Sequence, residues 1–123
     1  MLMIRDSQLL SLGDALTRIR ADVMLPKLQA ALPEQTKDIP VPVLRDQLRA
    51  LVVRAEAVEL FQQKQQLAFA VIGIWFGENF PTPWMKDILE DENALGDGKL
   101  SAICDELDEG GEHPALMAAL KGI

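Results

Sequence analysis

Asp91, Asn93 and Gly96 stand where a calcium-binding loop places its first two oxygen ligands and its turning glycine. The fifth place of that loop falls on Leu95, which has no side-chain oxygen, and the twelfth on Ala102, where a bidentate glutamate is needed. With two central ligands missing, the stretch is read as a helix end and turn rather than a metal loop. His113 is the only histidine, and no second His or Cys stands at helical spacing from it. Cys104 is the only cysteine, which excludes an internal disulfide and a cysteine metal cluster. A Cys104–His113 nucleophile pair lacks a third group to orient it, so Cys104 is read as a core thiol on a helix face with Leu100, Ile103 and Leu107. Glu90, Asp91 and Glu92 form a short acidic run, read as a solvated helix end. No metal, no cofactor and no catalytic residue is expected.

The aromatic residues raise a different question. Phe80 and Trp84 flank Pro81 and Pro83 in a turn that leads out of an apolar stretch. Proline-restrained aromatics lose little entropy on binding, which suits an interface anchor. Asp87, Glu90 and Glu92 follow and would surround such an anchor with negative potential. Phe80, Trp84, Asp87, Glu90 and Glu92 are therefore the candidate partner-binding residues. The competing reading packs Trp84 back onto the protein, since large aromatics dominate cores as well as interfaces.

The elements that would position these groups follow from hydrophobic spacing. Leu9, Leu12, Leu16, Ile19 and Val23 recur at steps of three and four and define one face of a first helix, with Asp6 or Ser7 as its cap. Met24, Leu28 and Leu32 continue the pattern, Pro26 is expected to kink or split the helix, and Pro33 ends it. A loop over residues 34–42 leads to a second helix opened by Pro42, with Leu44, Leu48, Leu51, Ala55 and Val58 on its inner face. Residues 62–66 are polar and are expected to be exposed, whereas residues 67–76 are apolar on every side. Length favours a helix over a strand there, and no other strand candidate exists to pair with it. An all-apolar helix is a central helix, which assigns Trp75 and Phe76 to the core. Thr82 and Pro83 start the next helix, residues 96–98 form a turn, and two further helices end the chain. The reading is an all-α, single-domain bundle of five or six helices spanning residues 1–123.

Bulk properties agree with a folded domain. The 123 residues are 49% hydrophobic, enough for a core without cross-links. No apolar run reaches the roughly 20 residues of a membrane-spanning helix, and the start of the chain does not read as a signal peptide, so a cytoplasmic protein is expected. The net charge of −7 is uneven: residues 1–77 carry +1 and residues 78–123 carry −8. That balance offers no basic footprint for nucleic acid, whereas an acidic third can meet a basic protein partner.

Several short motifs stand in a characteristic order: IRDSQL at residues 4–9, LPEQ at residues 32–35, and Pro83, Trp84, Ile88, Leu89 and Asp91, with Leu95, Lys99 and Leu100 trailing. This series resembles a family of small helical proteins encoded beside effectors in bacterial type VI secretion clusters. Relatives carry a tyrosine-glycine turn ahead of an acidic pair where this chain has Ala57, Val58, Glu59, Leu60 and Phe61. The resemblance covers roughly residues 2–107 and implies an accessory role: an adaptor or co-chaperone that holds an effector, or its adaptor chaperone, before loading. An immunity protein that neutralises a toxin is the alternative.

Overall fold

The computed structural model describes the backbone of residues 6–123 and the side chains of residues 15–123. Seven α-helices are found among the described residues and no strand. They are α1 (Asp6–Ala31), α2 (Pro33–Thr36), α3 (Val41–Ala57), α4 (Gln63–Phe76), α5 (Pro83–Leu89), α6 (Gly96–Gly110) and α7 (Pro114–Lys121), with a short 3₁₀ turn at Gly77–Asn79. The all-α expectation holds, with α2 as an added single turn in the expected 34–42 loop. The expected Asp6 or Ser7 cap and the side chains of Leu9 and Leu12 lie outside the described residues.

Helix α4 is central. It packs against α1, α3, α6 and α7, and buries Leu67, Phe69, Ala70, Val71 and Ile72. A helix apolar on all sides stays stable only when neighbours cover every side. Gly73 faces α3: a Cβ built there would lie 2.7 Å from Leu51 Cδ2. From α3 come Leu44, Leu48, Leu51, Val52 and Ala55. Met85 and Leu89 of α5, Leu100, Ile103 and Leu107 of α6, and Leu116 of α7 close the other side.

Helix α1 departs from expectation in which face it buries. Its buried residues are Thr17, Ala21, Met24, Leu25 and Leu28, continuing to Leu32 beyond its end. Leu16, Ile19 and Val23, expected inside, are 53, 59 and 49% exposed. At 100° per residue the two stripes lie on opposite sides of the helix, so α1 has two apolar faces and only one is covered. Of the two outcomes expected of Pro26, a kink or a split, the split does not occur: the helix runs unbroken to Ala31. The carbonyl that loses its N–H partner belongs to Asp22, four residues earlier, and both residues are exposed. Water can satisfy that carbonyl, which reduces the cost of an internal proline.

Polar residues join the elements. Gln65 and Gln66 are buried rather than solvated, and Gln66 is fully enclosed. Gln66 Nε2 donates to the Leu60 carbonyl at 3.0 Å, and Arg20 Nη1 donates to Gln66 Oε1 at 3.4 Å. The Gln62 backbone N–H donates to Gln65 Oε1, whose Nε2 donates to Asp97 Oδ1 at 2.8 Å. This ties the starts of α4 and α6 together, and Gly96, Asp97 and Gly98 form the first turn of α6 rather than a free turn. Lys99, 2% exposed, donates from Nζ to the Val58 carbonyl at 2.9 Å.

Candidate interaction site around Trp84

Five candidate residues come from the stretch 80–92, and the fold separates them. Phe80 is in the core, 7% exposed, meeting Phe69 edge to face with ring centroids 4.9 Å apart. Arg54 lies over its ring at 5.3 Å and donates from Nη2 to the Phe80 carbonyl at 3.2 Å. A solvent-facing anchor role for Phe80 is therefore corrected. The turn leaving α4 folds inward, because a buried phenylalanine against Phe69 removes more apolar surface from water than an exposed one. The Phe80–Pro81 bond is cis.

Trp84 stays outside, 38% exposed. Pro83 opens α5 from an extended Thr82 whose side chain makes no cap bond, and this sets Met85 and Leu89 inward and Trp84 outward. Trp84 borders a cleft of about 320 Å³ with Phe76, Met85 and Leu107 as apolar walls and Glu106 and Glu112 as carboxylates. His113 completes it. Its ring meets Phe76 at 5.1 Å and 72°, and Trp75 Nε1 donates to its Nδ1 at 3.2 Å. Trp75 is half-buried and packs against the core rather than being fully enclosed in it.

Asp87 is exposed on α5. Glu90 and Glu92 border a separate cleft with Glu59 and Lys99. The expected single acidic rim is thus divided, and the carboxylates that line the Trp84 cleft are Glu106 and Glu112. Sequence spacing could not supply this pair: α6 must pack on α5, and Gly111 must turn the chain at φ 64° before α7, to bring residues 106 and 112 to residue 84. Chemically, an indole and two carboxylates lining one cleft with Phe76 and Leu107 suit a lysine or arginine side chain, its stem along the apolar residues and its charge toward the carboxylates.

Cys104 does not join His113 in any hydrogen bond. Burial pushes its thiol pKa up, and neighbouring Asp105 adds to the rise, which opposes thiolate chemistry. Asp91 Oδ1 accepts from the Asn93 N–H at 2.9 Å, a local turn contact. Among the described residues no group of three His, Cys, Asp or Glu side chains is arranged to hold a metal ion, and no helix is long and apolar enough to cross a membrane. No protein-family model matches the chain, and neither does a curated protein or a solved structure.

Proposed function

We propose that this protein is a non-enzymatic adaptor or co-chaperone that holds a protein partner through the Trp84 cleft. In the setting implied by its motifs, the partner is a type VI secretion effector or the adaptor chaperone that loads it. The observation that carries this reading is a half-exposed tryptophan in a carboxylate-bordered cleft on the acidic third of the chain. Exposed tryptophans that fit a partner's side chain commonly carry most of an interface's energy.

The test is capture of the partner from the host with tagged protein, identification by mass spectrometry, and affinity measurement with wild type and Trp84→Ala. At a true anchor the substitution weakens binding by at least about 2 kcal/mol, mostly through faster dissociation. Charge reversal at Glu106 or Glu112 slows association, and less so at high salt. A Trp84→Ala protein with a lowered melting temperature and intact affinity returns Trp84 to a packing role. The −8 charge of residues 78–123 favours a basic partner surface and keeps the immunity reading in view. Rescue of cells from the captured partner's toxicity supports immunity; capture without rescue supports the adaptor.

A further inference from the structure

The outer face of α1 is a second surface, remote in sequence from Trp84. Leu16, Ile19 and Val23 project from it, and the same three–four rhythm continues through Pro26 to Ala30. Over those positions the row extends about 21 Å at 1.5 Å per residue. At its far end it runs into a groove of about 1050 Å³ between the end of α1, the start of α4 and α7. Ala30, Leu67, Ala118 and Ala119 line that groove, and Lys27 and Lys64 stand in it. Both lysines are exposed, and neither makes an ion pair or hydrogen bond among the described residues.

We propose that this row and groove are a docking track for an amphipathic helix with an acidic flank, supplied by a protein partner. The spacing selects a helix. A strict three–four row presents the holes into which the knobs of a second helix fit, and the described residues offer no strand edge for an extended peptide. Alanine walls allow the two backbones to approach closely. Charge selects the flank. Two lysines with no partner among the described residues share one groove on a chain of net charge −7, and carboxylates on the incoming helix would answer both. A second copy fits less well. Antiparallel pairing along the same row would set Lys27 toward Arg20 of the other chain, and Asp22 is already held by Arg45 at 3.1 Å. The track is independent of the Trp84 cleft, so the two can fail separately.

The test uses a synthetic helical peptide of three heptads with leucine at the first and fourth places and glutamate on both flanks, followed by fluorescence anisotropy. Glutamates on both flanks also keep the peptide from pairing with itself. A matched peptide with lysine in place of glutamate is the control. The glutamate peptide is expected to bind at least about ten-fold more tightly than the control. Ile19→Glu should weaken it by about ten-fold or more, and Lys27→Glu with Lys64→Glu should reverse the preference between peptides. These side chains are exposed, so folding is retained, which circular dichroism checks. Trp84→Ala should bind the peptide like wild type. Equal binding of both peptides, no binding, insensitivity to the α1 variants, or loss of binding in Trp84→Ala each overturns the proposal. So does a dimer in sedimentation equilibrium that Ile19→Glu splits, since the face would then serve self-association.

Discussion

Glu59 has φ 67°, the only non-glycine residue in the left-handed region among those described. It follows the capping residue Val58 at the end of α3. The Leu60 N–H donates to the Ala55 carbonyl at 2.9 Å and the Glu59 N–H to the Glu56 carbonyl at 3.0 Å, the two bonds of a Schellman ending. That position normally takes glycine, because a Cβ there meets the carbonyl oxygen. Glu59→Gly should raise stability by about 1 kcal/mol, read as a higher urea midpoint at unchanged m-value. Cys104 gives a second check at this scale. With its thiol pKa raised by burial and by Asp105, iodoacetamide should modify it more slowly in the native protein than in guanidinium. The sign for stability follows. The unfolded thiol ionises first, so its contribution is fully present below the ordinary thiol range near about 8.5 and declines as pH rises above it.

At the scale of elements, α1 is the informative case. Its inward stripe includes Thr17 and Ala21, small enough to let α1 lie close to α3 and α4, followed by Met24, Leu25 and Leu28 as filling. Arg45 to Asp22 and Arg20 to Glu56 at 3.6 Å tie it to α3, and both pairs are largely exposed and add little energy. Pro26 interrupts the backbone ladder within this helix. Pro26→Ala should restore the bond to the Asp22 carbonyl and stabilise the protein by up to about 3 kcal/mol, seen as a higher melting temperature. No change would mean that water already satisfies the exposed Asp22 carbonyl.

For the molecule as a whole, the contacts of α4 with four other helices make one cooperative core. Ile72, 1% exposed, is at its middle. Ile72→Ala should cost about 2–5 kcal/mol. Helix content by circular dichroism and indole fluorescence should then still fall together in one transition. Separate transitions would show that α5–α7 unfold as an independent unit. Fluorescence is a direct probe of that side, since Trp75 bonds His113 just before α7 and Trp84 sits on α5.

Much of this protein is determined by local spacing. The apolar run at residues 67–76 favoured a central helix by its length and by the lack of a strand candidate to pair with it, the rows of α3 and α6 marked their inner faces, and Pro42 and Pro83 marked helix starts. Spacing cannot choose between two apolar stripes on one helix. Leu16, Ile19 and Val23 look as core-like as Ala21, Met24 and Leu28, and only the fit of α3 and α4 against the smaller side chains decided which row was covered. The same holds for the aromatics. Phe80 and Trp84 were equivalent in sequence, but Phe80 found Phe69 and Arg54 across the core, whereas Trp84 found Glu106 and Glu112 at the surface. Gln66 read as solvated until the Leu60 carbonyl was brought to it. Sequence settles what repeats along the chain; which partner meets a residue from 20 or 40 positions away is decided by packing, because burial depends on the neighbour as much as on the residue.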